Sequence, residues 1–424
     1  MLKQRNYSIE FYRFTFAVNF TIVHALFVFP VAYMRSAPLF VPALDIILPF
    51  MIFAGYFMMQ GFEKQQRLGY GALESAPRQA WNHLKSRLVA LLPVFLLAQL
   101  MGFVAKNIWL GTPLIEWPVR LINGIYELVG LQITGLGFGS ATAGAWGEGI
   151  RVHQLMNSPM WFISGIFICG YIIYFLLAAN KKLFIGLIAP LSFILYYSSE
   201  FLLQTSYSPM MWFDIRSYGD IRMAAGFPHM FVGLGLGCLI YVAVNNLKGK
   251  KWSRGMIAFM TVAQIILTFI VLLRTWIPTS SGISQFFNMG WETTHMLSIF
   301  FCFLILLNVD KCTRFPLINS KIWGTPGRMA FYVYMLHFPI MVFLAQIMGI
   351  TRGTELIASN AYMLTGVTIV TSIVISYIVM KIDVKVVAPW LRNKPWYNKE
   401  QKQIEKDLED EAAQKAKELA ITAP

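Results

Sequence analysis

Ten long apolar stretches constrain this chain more than any other feature. A helix that crosses the hydrocarbon core of a bilayer needs roughly 20 mainly apolar residues, because no water is available there to bond the backbone. The whole chain is 57% hydrophobic and only 13% charged, which is outside the balance of a water-soluble protein. The sequence therefore predicts an all-α membrane protein, a bundle of about ten transmembrane helices. The stretches lie near residues 11–33, 42–62, 88–106, 159–179, 183–203, 226–244, 255–274, 291–308, 329–349 and 361–382.

The distribution of Lys and Arg between these stretches predicts their orientation. Short cytoplasmic segments are enriched in Lys and Arg, and here rich and poor segments alternate, with both chain ends in the rich class. The first stretch carries Arg13 and no small-residue cleavage site follows it, so we expect it to remain as the first span. We expect both termini in the cytoplasm, a membrane domain over residues 1–383 and a charged, helical cytoplasmic tail over residues 384–424.

Charge and cysteine content exclude several function classes. The net charge of +14 follows the alternation between segments instead of forming a basic, aromatic face, so we expect no nucleic-acid partner. The four cysteines show neither metal-ligand spacing nor a disulfide pattern, so we expect no metal site. The long connection over residues 107–158 contains a glycine-rich run, which we interpret as part of a flexible external loop.

Three ionisable residues lie inside or beside the first span. Ionisable groups at membrane depth are costly and are candidates for function. At 100° per residue, His24 lies about 20° around the helix from Arg13, and Glu10 about 60° from it, so all three share one face. His24 lies roughly 16 Å further along the helix than Arg13, which places Arg13 near the cytoplasmic headgroups and His24 near the middle of the membrane.

This separation suggests the shape of a ligand. An acyl-CoA carries phosphates at one end and a thioester at the far end of its pantetheine arm, so one extended donor could contact both Arg13 and His24. Structural alternatives remain open at this point. Arg13 could be an interfacial residue paired with Glu10, and His24 could be hydrogen-bonded to a neighbouring helix.

Further candidate residues lie in later spans. His337 is a second deep histidine, on a helix that rises from the cytoplasm and could face the same cavity. On the predicted outer side, Trp291, Glu292 and His295 open the eighth span, and Arg222 belongs to a charged loop close to His229. Such charged and aromatic groups would suit a polar glycan, although ordinary loop salt bridges explain them nearly as well.

Six segments in order along the chain resemble the acyltransferase-3 family of integral-membrane acyltransferases. The first span contains Arg13, ten residues and then His24, as in the signature of that family. The resemblance covers roughly residues 5–382. Its segments are IEFYRFTFAVNFTIVH, DIILPFMIFAGYFM, LKSRLVALLPVFLLA, MWFISGIF, FPHMFVGLGLGCLIY and MAFYVYMLHFPI.

The resemblance implies a ten-helix enzyme in the cell (inner) membrane that moves an acyl group, usually acetyl, from cytoplasmic acyl-CoA to a hydroxyl of an envelope polysaccharide or glycolipid. The essential Arg and His of the family correspond to Arg13 and His24. Lys85 and Arg87 fall in its basic entry to the third span, and Trp161 begins the fourth.

The sequence departs from the family pattern in three places. Ala54 stands where the family has Ser, which excludes a hydroxyl role there. Of the family's pair of basic residues three positions apart, Arg87 is kept and Ala90 stands in the place of the second. Many members carry an extracytoplasmic hydrolase-like domain, whereas this chain ends about 40 residues after its last span. We therefore expect it to act alone, as a homo-oligomer or with a separate extracytoplasmic partner.

These observations combine into one mechanistic hypothesis. His24 acts as general base on the acceptor hydroxyl, or forms an acyl-histidine, with His337 as a second candidate. Glu10 orients Arg13, and Arg13 with Arg87 binds the phosphates of acetyl-CoA, the donor; no permanently bound cofactor is expected. A transporter or flippase of a lipid-linked glycan is the alternative, and a non-catalytic receptor or scaffold is a third reading. The residues assigned to the acceptor are Trp161, Arg222, His229, Trp291, Glu292 and His295.

Overall fold

Every predicted apolar stretch overlaps a helix in the computed structural model of the chain. In lipid, each long apolar run can satisfy its own backbone hydrogen bonds only as a helix. The chain therefore forms a bundle of helices. Beyond the stretches themselves, the structure adds short helical turns and one small hairpin. It describes residues 7–28, 47–69, 74–131, 157–203, 215–218, 221–224, 226–247, 250–273, 291–307, 318–349 and 358–394.

Several short irregular helical turns accompany the long helices in the described residues. The turns are 3-10 helical at Leu114–Glu116, Ser158–Met160 and Lys321–Trp323, and π-helical at Phe184–Ile188, Phe269–Leu273 and Asp383–Val387. The helices are α1 Tyr7–Val28, α2 Ile47–Arg67, α3 Ala76–Trp109, α4 Trp117–Asn123, α5 Ile125–Leu128, α6 Trp161–Leu183, α7 Ala189–Leu203, α8 Gly226–Leu247, α9 Arg254–Thr268, α10 Trp291–Leu307, α11 Gly324–Ile347, α12 Ala358–Ile382 and α13 Ala388–Arg392.

Six helical segments within the described residues are long and apolar enough to cross a membrane. This supports a multi-pass membrane protein. The count of ten spans and the direction of the termini stay predictions, and residues 395–424 of the predicted tail lie outside the described residues. The six segments are Ala76–Trp109, Trp161–Ser198, Gly226–Leu247, Arg254–Val271, Lys321–Ile347 and Met363–Arg392, and His295–Leu307 is a shorter apolar helix.

Two connections contain more structure than the sequence predicted. Residues 114–128 of the predicted external loop form a 3-10 turn and two short helices. Side chains of the neighbouring spans hold this segment, because Gln99 donates to the Glu127 carbonyl oxygen and Ser164 donates to the Gly130 carbonyl oxygen. The glycine-rich part that follows, residues 132–150, lies outside the described residues.

A small antiparallel hairpin precedes α8, within a segment predicted to be a charged loop. Strands β1 (Ile215–Tyr218) and β2 (Ile221–Ala224) pair so that Tyr218 faces Ile221 and Ile215 faces Ala224. The all-α description therefore holds for the bundle but not for this connection.

Glycines allow α2 and α8 to approach within backbone contact. A Cβ atom on Gly237 would lie 2.8 Å from Gly55 Cα and would also meet the Ile52 carbonyl oxygen, and one on Gly233 would lie 2.6 Å from Met51 Cβ. Gly233 and Gly237 stand four residues apart, the small-residue spacing that lets membrane helices pack closely. Close packing against α2 therefore explains the glycines of α8, with no need for a phosphate or other ligand.

We expect Gly237→Ala to destabilise the protein by about 1–3 kcal/mol, because the added methyl group meets backbone atoms that no side-chain rotation can move. The measurement is the midpoint temperature of thermal unfolding in detergent, monitored as loss of the monodisperse peak of the protein in size-exclusion chromatography. Gly170→Ala in α6 is the matched control, since nothing lies within 4 Å of its added Cβ. A control variant with the same loss of stability as Gly237→Ala would contradict the argument.

Helix α11 packs against α1, α3 and α12. Its contact with α1 is close because a Cβ on Gly327 would lie 2.7 Å from Glu10 Cα. Further along the same two helices, His24 meets His337. The order of these contacts shows that α1 and α11 run in the same direction, and that their packing fixes the position of one histidine against the other.

Candidate functional site

The face of α1 that carries Glu10, Arg13 and His24 turns towards the bundle. Glu10 is 8% exposed and its Oε2 lies 3.6 Å from Arg13 Nη1, one turn along the helix. The Arg13 side chain is one third exposed, and His24 is half-buried. Glu10 therefore holds the Arg13 guanidinium beside α1 while leaving part of it accessible.

His24 and His337 form a direct pair across the α1–α11 contact. His24 Nδ1 lies 2.8 Å from His337 Nε2, although the two residues are 313 positions apart in sequence. Their rings are nearly parallel, with centroids 4.9 Å apart. His337 is completely buried, whereas His24 is only half-buried. Of the two rings, His24 is thus the more exposed.

A third contact assigns the protons of the neutral pair. His337 Nδ1 lies 3.1 Å from the Val333 carbonyl oxygen, which can only accept a hydrogen bond. His337 Nδ1 therefore carries the hydrogen and its Nε2 is the acceptor, because a neutral imidazole has one nitrogen of each kind. His24 Nδ1 must then donate to His337. The remaining nitrogen, His24 Nε2, keeps a basic lone pair.

Aromatic side chains separate the level of His24 from that of Arg13. Phe20 lies between them on the α1 face, and its ring stacks on His24 with centroids 5.9 Å apart. The Phe20 ring also packs edge-on against Tyr334 and at a tilt against Phe50, with centroid distances of 5.2 Å and 5.8 Å. Beside Phe20, Ala17 is fully buried. A molecule that contacts both Arg13 and His24 has to pass the Phe20 ring.

Positive groups from α1 and α3 converge at the Arg13 end of the site. The Arg13 and Arg87 guanidiniums lie close enough to repel each other electrostatically, and Arg87 also interacts with His83 and with Tyr174 on α6. The His83 ring stacks on Tyr174 with centroids 4.3 Å apart, and the Tyr174 hydroxyl donates to Gln65 on α2. We call Arg13, His83, Arg87 and Tyr174 the basic cluster. Like charges brought together in this way favour an anionic ligand.

Sequence reasoning missed His83, although a signal was present. His83 and Arg87 stand four residues apart, so they share one face of α3. Lys85 lies about 200° around α3 from Arg87 and is half-buried. Ala90, which replaces a basic residue of the family pattern, is exposed on α3.

A second histidine group lies elsewhere in the bundle. The hydroxyls of Tyr196 and Tyr197 lie 2.9 Å and 3.0 Å from Nδ1 of His229 and His295 respectively. The two imidazole centroids are 5.8 Å apart, and both histidines are buried. The structure therefore brings His229 and His295 together. They lie inside the bundle, hydrogen-bonded to two tyrosines of α7.

The other residues assigned to the acceptor are placed less completely. Trp161 begins α6 and is buried, 6% exposed, with its ring against Phe162. The side chains of Arg222, Trp291 and Glu292 lie outside the described residues.

No three His, Cys, Asp or Glu side chains in the described part of the chain come together as a metal site. Comparison with curated proteins and with solved structures gave no match. A family model described as an acyltransferase domain matches residues 6–381, most of the chain and all of α1 through α11. The arginine–histidine face of α1, its histidine partner on α11 and this match agree, and the chain belongs to the acyltransferase-3 family of membrane acyltransferases.

Proposed function

We propose that the protein transfers an acyl group, most simply acetyl, from cytoplasmic acyl-CoA to a hydroxyl group of an envelope polysaccharide or glycolipid. The observation that carries this proposal is the His24–His337 pair. Its hydrogen bonds leave one basic imidazole nitrogen on the more exposed ring, that of His24, and this is the group that hydroxyl activation requires.

The chemistry assigned to His24 is general base catalysis. His24 Nε2 takes the proton of the acceptor hydroxyl as its oxygen attacks the thioester carbonyl carbon. The carbon–sulfur bond breaks, and the departing thiolate receives the proton from His24, which yields the ester and free CoA. Meanwhile the hydrogen bond from His24 Nδ1 to His337 fixes the tautomer and stabilises the charged imidazolium.

The basic cluster is assigned to the donor. Arg13 and Arg87 come from different helices and their positive charges act on each other, which suits an anion that carries several phosphates. Glu10 orients Arg13 through their contact on α1. Lys85, which lies about 200° around α3 from Arg87, stays assigned to the donor by the family resemblance and not by its position in the basic cluster.

The membrane arrangement in this proposal has ten spans in the cell (inner) membrane, both termini in the cytoplasm, residues 1–383 as the membrane domain and residues 384–424 as a cytoplasmic tail. The parallel course of α1 and α11 supports it, because the predicted first and ninth spans cross in the same direction. The acceptor approaches from the opposite side, where Trp161, Arg222, His229, Trp291, Glu292 and His295 are assigned to it. The enzyme acts alone, as a homo-oligomer or with a separate extracytoplasmic partner.

The test is transfer by the purified protein in vesicles that contain envelope glycolipid. With acetyl-CoA radiolabelled in the acetyl group, we expect label in an alkali-labile ester of the glycan and a matching release of CoA thiol. Movement of glycolipid across the vesicle membrane without ester formation would instead indicate a flippase. Neither ester nor thiol above the level of empty vesicles would reject the proposal.

A further inference from the structure

Helix α11 carries a proline two residues after His337. Proline has no backbone N–H, so Pro339 leaves the carbonyl oxygen of Met335, four residues earlier, without its helical donor. Inside a membrane such a carbonyl needs another partner, because water is not available to bond it. The unsatisfied group lies in the helical turn that ends at His337, so whatever bonds it also acts on the histidine pair.

Asn157, just before α6, supplies that partner. Its side chain is completely buried, and its Nδ2 lies 3.1 Å from the Met335 carbonyl oxygen. The second hydrogen of the same amide is directed to the Ala98 carbonyl oxygen on α3, also at 3.1 Å. One side chain therefore satisfies the carbonyl that Pro339 leaves open and joins α11 to α3.

A second contact ties the same short segment to α11. The Tyr334 hydroxyl donates to the carbonyl oxygen of Pro159 at 2.7 Å. Residues 157 and 159 thus bond to Met335 and Tyr334 of α11. The carbonyl oxygen just before them, that of Val333, accepts a hydrogen bond from His337 Nδ1. Three consecutive residues of one turn are fixed by side-chain hydrogen bonds, and His337 closes that turn.

We infer that Asn157 is a positioning residue for the His24–His337 pair. By bonding the Met335 carbonyl, it fixes the turn of α11 before Pro339 and with it the place of His337 Nε2, the atom that accepts the hydrogen bond from His24 Nδ1. This inference rests on the proposed function. A shift of the His337 ring would lengthen a 2.8 Å hydrogen bond and release the His24 tautomer, while the donor site at the other end of α1 would be unaffected.

The experiment compares steady-state kinetics of four proteins: wild type, Asn157→Ala, Pro339→Ala and the double variant. We expect Asn157→Ala to lower kcat about tenfold to a hundredfold, with KM for acetyl-CoA changed less than about threefold. In the Pro339→Ala background the backbone N–H regained at position 339 can bond the Met335 carbonyl, so Asn157→Ala should cost less than about threefold there. This non-additivity is a result that a general loss of stability would not give.

Asn107→Ala is the matched control. Like Asn157, Asn107 has a buried side-chain amide, but it lies on α3. Its Nδ2 donates to the Phe103 carbonyl oxygen at 2.8 Å within its own helix. We expect this control to keep the wild-type kcat, with rates expressed per folded protein from the monodisperse fraction. If Asn157→Ala alone fails to fold, the comparison of Pro339→Ala with the double variant still tests the inference. Both of these proteins retain a donor for the Met335 carbonyl, the backbone N–H at position 339.

The outcomes separate this inference from the function on which it rests. Absence of acyl transfer by the wild type rejects the proposed function. Transfer by the wild type, together with an unchanged kcat in Asn157→Ala or an equal fold-loss in both backgrounds, overturns only the role of Asn157.

Discussion

Replacing His24 with alanine is expected to lower kcat for acyl transfer by about a hundredfold to ten-thousandfold, the usual contribution of a positioned general base. The variant removes the basic Nε2 but leaves the basic cluster intact, so KM for acetyl-CoA should change less than about threefold. The measurement is release of CoA thiol by the purified protein with acceptor present. Mass spectrometry of acid-quenched wild-type protein during turnover would show an acetylated His24 if the acyl group is carried covalently.

Thr21→Val is the control for His24→Ala. Thr21 lies one turn earlier on α1, is fully buried, and its hydroxyl donates to the Ala17 carbonyl oxygen of its own helix. We expect this control to keep wild-type kcat, since valine preserves the volume of the side chain and the lost hydroxyl bonds Ala17 and not the histidine pair. A wild-type rate in His24→Ala would remove His24 from the mechanism, whatever the control does.

The fold was predictable where the membrane dictates it. A span has one way to satisfy its backbone, so apolar length alone predicted helices at every stretch. The ends of helices were less predictable, because α3 begins at Ala76, well before its apolar stretch near residue 88, with a polar segment that contributes His83 and Arg87 to the basic cluster. Apolarity carries no information on where a helix continues into a polar environment.

The short hairpin could have been found from local sequence. Residues 215–218 and 221–224 are two short runs separated by Gly219 and Asp220, and a Gly-Asp pair between such runs is a hairpin signal. The charges around it drew attention to possible ligand contacts instead. Turn chemistry was the stronger information at this position.

The site was predictable along one helix but not across helices. Helical spacing alone put Glu10, Arg13 and His24 on a shared face. The pairing of His24 with His337 depends on a tertiary contact that Gly327 permits, and no local pattern encodes it. The same holds for Asn157, which acquires its partner only because Pro339 of a distant helix withholds a backbone donor.

The second large effect is expected at the basic cluster. Replacing Arg13 with alanine should raise KM for acetyl-CoA about tenfold to a hundredfold, because a charge-assisted bond to phosphate is lost, while kcat at saturation stays within about threefold. Arg87→Ala should act in the same direction. With both removed, the increases should not simply multiply, because the two guanidiniums repel each other in the unoccupied protein and removal of one relieves the other.

A truncated donor makes this prediction specific. S-acetyl-pantetheine has the thioester and arm of acetyl-CoA but no phosphate, so Arg13→Ala should leave its kcat/KM unchanged while that of acetyl-CoA falls. Arg78→Ala is the matched control: this α3 arginine is 61% exposed and lies 3.4 Å from Glu74. We expect the control to affect neither donor. Equal losses for both donors in Arg13→Ala would show that Arg13 supports the structure of the site and does not bind phosphate, since only a phosphate contact can distinguish the two molecules.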